Sequence, residues 1–285
     1  MSILQEHLFN TGEVSINYGE GPPSGPPLVL LHGGGNRWQS FLPIIPGLAK
    51  RWHVYALDLR GHGRSDRVPG QQGQPGSYRP EHYAADVFAF CESRVSEPAV
   101  LFGHSRSGWV ALLAGAKLGE KLRGLILGDP PLDIDRFIEI ESSDERVAMW
   151  RAMRELLSVK MSVLEMAAAL AATSDLDSVQ LHDWAETLSQ VDPDVIFHHA
   201  EKRLIEYVEN IDLDRAFGLI NSPTLVLQGD PAEDGLIADG DVEHILSLLP
   251  DGLHVKLEGA GHDLGLSKEK ASPLLPTVKD FLEGL

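Results

Sequence analysis

The 285-residue sequence predicts an α/β fold, a mostly parallel sheet with helices on both faces and an all-helical insert. Three observations carry this. Short apolar runs alternate with helical segments through the first third of the chain. Each run ends in a Gly-rich or polar turn. Strand-like runs then vanish between about Leu132 and Ala216 and return afterwards. Strands alternating with helices build parallel sheets covered on both faces, which bind ligands at the strands' carboxyl ends. The expected organisation is a core from 1–131 and 217–285, interrupted by a helical cap insert over 132–216.

The elements follow in order. Leu8-Phe9 and residues 14–18 read as paired edge strands around Thr11-Gly12, followed by a Pro/Gly-rich turn from Gly21 to Pro27. Leu28–Leu31 is continuously apolar, as a strand buried on both faces should be. A helix is expected over Phe41–Lys50, a strand over His53–Leu57, and a helix over Tyr83–Val95 with Ala84, Val87, Phe88 and Cys91 at helical spacing. A strand follows at Ala99–Phe102, a helix at Trp109–Lys117 and a strand at Leu125–Leu127. The insert, rich in Met, Ala, Leu, Glu and Arg, holds about four helices. Strands return at Thr224–Leu227 and His254–Leu257, and a helix closes the chain at 273–282. Gly70–Gly76 (GQQGQPG) reads as a mobile loop.

Composition excludes several functions. Lys and Arg number 24 against 42 Asp and Glu, a formal charge of −18. Such a surface repels phosphate backbones and anionic lipid, so neither nucleic acid nor a membrane is an expected partner. The single cysteine, Cys91, cannot form an internal disulfide or supply a Cys-based zinc site. The N-terminus lacks a basic start followed by an apolar run, and no stretch reaches the roughly 20 apolar residues that span a bilayer. A cytoplasmic location is expected. Oligomeric state is not legible.

Three turns carry chemistry. Gly103-His104-Ser105-Arg106-Ser107-Gly108 lies between a buried strand and a helix, the setting of a strained serine elbow. Residues two away from the serine must be small; Gly103 fits, and Ser107 replaces the more common glycine. His32-Gly33-Gly34-Gly35 also follows a buried strand. Its glycines let backbone N–H groups face a substrate, so Gly34 and Arg106 are the expected oxyanion donors. Among 12 histidines, His262 in Gly259-Ala260-Gly261-His262-Asp263 follows a strand directly, which makes it the candidate base. His32 is expected to orient the oxyanion turn.

Together with Asp58-Leu59-Arg60-Gly61-His62-Gly63-Arg64-Ser65, these motifs resemble the α/β-hydrolase superfamily over nearly the whole chain. The resemblance implies Ser105 as nucleophile, His262 as base, Gly34 and Arg106 amides as oxyanion hole, a structural role for the Asp58–Ser65 loop, and a helical cap between strands six and seven. It leaves the acid open. Asp129, at the tip of the sixth strand, matches the position in zearalenone-type lactone hydrolases. Asp230 is the alternative after the seventh strand, where the family's usual spacing falls on Ala232; Asp234 and Glu233 lie nearby. A serine at the elbow separates this chain from relatives with an aspartate there, the haloalkane dehalogenases and epoxide hydrolases. The implied activity is a serine hydrolase of a small, largely apolar ester or lactone, with no metal and no cofactor. Carbon–carbon bond hydrolysis, which an Arg106–carboxylate contact would favour, and a non-catalytic ligand-binding role are the alternatives. Met149, Trp150, Met153, Met161, Met166 and Trp184 either line the substrate pocket or form the insert's own core.

Overall fold

A computed structural model describes residues 4–71, 73–172, 174, 176–267 and 273–285. Gln72, within the Gly70–Gly76 stretch, lies outside the described residues. In chain order the elements are β1 (Gln5–Asn10), β2 (Ser15–Glu20), β3 (Pro27–Leu31), α1 (Ile45–Leu48), β4 (His53–Leu57), α2 (Pro80–Arg94), β5 (Ala99–His104), α3 (Ser107–Leu118) and β6 (Leu122–Gly128). Among the described residues seven α-helices then intervene: α4 (Ile134–Glu141), α5 (Asp144–Ser158), α6 (Val163–Ala171), α7 (Ser178–Ser189), α8 (Phe197–Ala200), α9 (Leu204–Val208) and α10 (Leu213–Phe217). The chain closes with β7 (Thr224–Gly229), α11 (Asp239–Leu248), β8 (Gly252–Leu257) and α12 (Leu274–Glu283).

The eight strands form one sheet in the order β1-β2-β4-β3-β5-β6-β7-β8. The β1/β2 and β2/β4 pairs are antiparallel and the other five are parallel. Alternate residues of each strand face opposite sides. Val29, Leu31, Leu101, Leu125, Leu127 and Val226 pack under α2 and α3. Leu28, Leu30, Val100, Phe102, Ile126, Leu225 and Leu227 pack on the other face with α1 and α12. Both faces are therefore dry, which is why these strands read as unbroken apolar runs.

Three expectations need correction. The helix expected over Phe41–Lys50 is a 3₁₀ turn at Trp38–Phe41 followed by the single turn of α1. Pro43 and Pro46 remove the backbone donors that a continuous helix needs. Helix α11 lies outside the expected elements; its Val242 and Ile245 sit at helical spacing and are buried. The insert also holds more and shorter helices than four.

The insert has two parts. Met166, Leu170, Ala185 and Leu188 form a small separate core, against which Met153, Met161 and Trp184 pack. The second part, from Val191 through Tyr207 to Phe217, joins the main core above α3. Of the methionines and tryptophans noted above, Met149 is exposed and Trp150 hydrogen-bonds Glu141. No helix among the described residues is long and apolar enough to cross a membrane.

Candidate active site

Strand ends assemble the site. Ser105 follows β5 in a left-handed conformation, φ 57°, unusual for a residue with a side chain. Its N–H donates to the Gly128 carbonyl at 2.7 Å, and its carbonyl accepts from Gly108 N–H at 2.8 Å. The turn is so tight that a Cβ at Gly103 would lie 2.0 Å from the Ser107 carbonyl oxygen, so only glycine fits there. Ser107 has a positive use. Its hydroxyl donates to the His32 carbonyl at 2.5 Å, tying the elbow to the Gly33–Gly35 turn.

His262, on the loop after β8, reaches both partners. Its Nε2 lies 2.9 Å from Ser105 Oγ and its Nδ1 2.8 Å from Asp129 Oδ2. These distances set the tautomer: Nδ1–H donates to the carboxylate and Nε2 accepts from the hydroxyl. His104 steadies the loop from behind, its Nε2–H donating to the His262 carbonyl at 2.8 Å. Burial pushes the His104 pKa down to about 4, so the ring stays neutral.

The two candidate acids separate cleanly. Asp129 is fully buried at the tip of β6, also in a left-handed conformation, φ 46°. Its Oδ1 accepts from Gly229 N–H at 2.9 Å and its Oδ2 from Leu236 N–H at 2.8 Å, besides meeting His262. Asp230 instead accepts from Ala232 and Gly259 N–H groups, which hold its carboxyl below the usual range. Asp234 accepts from the His262 backbone N–H at 3.1 Å. The imidazole of His262 thus meets Asp129 and not Asp230, and the neighbouring acids shape its loop.

On the other side of Ser105, neither the Gly34 nor the Arg106 N–H donates to another described group. Two buried histidines fix the turn around Gly34. His32 Nδ1–H donates to the Gly33 carbonyl at 2.8 Å and its Nε2 accepts from Leu59 N–H. His62 Nε2 accepts from Gly35 N–H at 3.2 Å while its Nδ1–H donates to the Arg60 carbonyl. Burial lowers both pKa values, which keeps each ring a donor at one nitrogen and an acceptor at the other. Asp58, in the same polar loop, accepts from Trp38 and Arg64 N–H groups and from Asn17.

Two features escaped the sequence reading. His62 supports the Gly33–Gly35 turn, a role that only its contact with Gly35 reveals. The insert places His199 and Tyr207 against Arg106: Arg106 Nη1 lies 3.2 Å from His199 Nε2, and its Cζ sits 5.8 Å from the Tyr207 ring centre. A small cavity of about 20 Å³ lies there, bounded by Gly34, His62, Tyr83, Arg106 and Tyr207 among others. An open depression of about 610 Å³ lies at the His262 loop, lined by Glu233, Asp234, His262 and Asp263 among others.

A serine, a histidine and a buried carboxylate thus form one hydrogen-bonded line on a sheet of this strand order. Residues 26–269 match the family model described as the alpha/beta hydrolase fold. The chain belongs to that family. It is 25% identical over 267 residues to 2-(acetamidomethylene)succinate hydrolase of Mesorhizobium japonicum, covering 91% of each. It is 26% identical over 253 residues to pimeloyl-[acyl-carrier protein] methyl ester esterase of Xanthomonas oryzae pv. oryzae, covering 84% of this chain and 88% of that one. A crystal structure of E-2-(acetamidomethylene)succinate hydrolase superposes with a TM-score of 0.74 at 20% identity, over 98% of this chain and 99% of that chain, a likeness of fold.

Proposed function

We propose that this protein is a serine hydrolase that cleaves a small carboxylic ester or lactone through an acyl-enzyme. The Ser105–His262–Asp129 line carries the reading. Ser105 Oγ attacks the substrate carbonyl as His262 Nε2 takes its proton. Asp129 holds the tautomer and stabilises the imidazolium. The carbonyl oxygen, becoming an oxyanion, is met by the Gly34 N–H and by the Arg106 N–H at the start of α3, where the helix dipole adds to the stabilisation. His262 returns the proton to the departing alcohol, then activates water, which releases the acid and frees the serine. No step calls on a metal or a cofactor. The 132–216 insert acts as a cap that shields the reaction from bulk water. Relatives named as a hydrolase and a methyl ester esterase support the same chemistry. A cytoplasmic setting completes the reading.

The test is a panel of p-nitrophenyl esters and lactones with purified protein, beside fluorophosphonate labelling. Wild type turns over at least one substrate and takes up the label, and Ser105→Ala does neither. A folded wild type that neither labels nor hydrolyses overturns the proposal in favour of a binding protein.

A further inference from the structure

Arg106 is more than the donor of an amide. Its side chain folds back over the oxyanion turn, and a Cβ on Gly34 would lie 2.1 Å from Arg106 Nη2. There the guanidinium meets His199 and Tyr207 from the insert. Among the described residues no carboxylate lies within ion-pair distance of it. The contrast with Arg60 is instructive. That buried guanidinium holds Asp86 at 2.6 Å and Glu13 at 3.0 Å. Arg106, only partly buried, has no such counter-charge among the described residues, whereas this fold supplies counter-charges where the arginine is structural.

The other neighbours are neutral. Burial and the guanidinium together hold the His199 pKa well below its ordinary value, and His62 is depressed mainly by burial. Tyr83 and Tyr207 are pushed up by burial and remain phenols. His199 Nδ1 is buried with no partner among the described residues. A guanidinium offers five N–H donors, and its fork matches a carboxylate. The site therefore has positive charge, unused donors and no anion, all beside the nucleophile. The cavity beside it is small, about 20 Å³, room for about one water.

We propose that Arg106 is a specificity-determining residue that binds a carboxylate of the substrate, so that the hydrolase acts on an ester or lactone carrying a free carboxylate group. The incoming carboxylate takes the place of the neutral His199 imidazole at the guanidinium. This rests on the serine-hydrolase reading for the chemistry, while the anion site itself stands on Arg106 alone.

The test uses matched ester pairs, each with a terminal carboxylate on the acyl or the alcohol side and a methyl-terminated counterpart. Glutarate and glutaramide serve as non-reacting probes in titration calorimetry. In wild type one carboxylate-bearing ester is preferred in kcat/KM by about tenfold to a hundredfold, the range of a charged hydrogen bond. Arg106→Gln reduces that ratio to near one, and Arg106→Lys retains part of it. Glutarate binds wild type and not Arg106→Gln; glutaramide binds neither. The wild-type comparison needs no variant to fold. Equal use of both members of every pair, with no glutarate binding, overturns the proposal even when fluorophosphonate labels Ser105 and the hydrolase reading holds. Arg106-dependent glutarate binding without labelling has the opposite meaning: the anion site stands and the hydrolysis falls.

Discussion

Two histidines touch the elbow, His262 at Ser105 and His199 at Arg106, and they are treated in opposite ways. His262, on the core's strand-end loop, has both ring nitrogens engaged, by Ser105 and Asp129. His199, on the insert's α8, spends one nitrogen on Arg106 and leaves the other buried without a partner. Its neighbour His198 leaves both nitrogens unpaired. Satisfied buried polar networks are rigid and specify one geometry, whereas unsatisfied buried groups are costly. The core side of the site is fully paired, and the insert side keeps buried nitrogens without a partner among the described residues.

Removing the two imidazoles breaks or sharpens this contrast most strongly. His262→Ala is expected to lower kcat by about 10⁴–10⁶-fold, since members of such a unit act together. His199→Ala is expected to change kcat/KM for a carboxylate-bearing ester less than about a hundredfold, chiefly through KM. Steady-state kinetics on both variants decides. A kcat loss in His199→Ala as large as in His262→Ala would erase the distinction between the two sides. Next in size is the acid. Asp129→Asn is expected to cost about 10⁴ in kcat, because an amide favours the wrong tautomer of His262. Asp230→Asn, which only weakens turns at Ala232 and Gly259, is expected to cost less than about tenfold.

The pH dependence of stability follows from the same histidines. Burial holds the pKa of both His104 and His198 down to about 4, against about 6.5 in an unfolded chain. Between those values the unfolded state binds more protons than the folded state, so stability rises with pH through this window and is flat above it. The His104 contribution, from a fully buried ring, is of the order of 3 kcal/mol. Thermal melts should therefore show Tm falling steadily from pH 6.5 towards 4. His104→Asn, which keeps a donor towards the His262 carbonyl, should flatten that slope. An unchanged slope in the variant removes His104 from the account.

How much of this was legible in the sequence follows from locality. Ser105, Gly34 and His262 each sit one turn beyond a strand, so chain order alone points to them. The acid was legible only as a choice, because Asp129 and Asp230 both end strands and differ in where their side chains turn; amides of Gly229 and Leu236, about a hundred residues away, aim Asp129 at the imidazole. Ser107 looked like a departure and is a link to His32. The insert was least legible. Its helices are short, and their partners lie in distant segments, so nothing in the His198-His199 dipeptide foretells an arginine from residue 106.

The smallest predicted effect probes how the insert is fastened. Arg37, two residues past the oxyanion turn, forms a two-pronged pair with Glu186 on α7 at 3.1 and 2.9 Å. Arg37 is largely buried but Glu186 is 42% exposed, so solvent screens the pair. Glu186→Gln should cost under about 1 kcal/mol, a fall in Tm of at most about 2–4 °C. Its local effect should be larger than its global one. Helices α6 and α7 share a small core of their own, so loosening their tether lets them open without unfolding the sheet. Hydrogen exchange should then quicken along 163–189 and stay unchanged in β5 and β6. Faster exchange throughout, with a Tm loss well beyond 4 °C, would mean that this part of the insert and the sheet unfold as one unit.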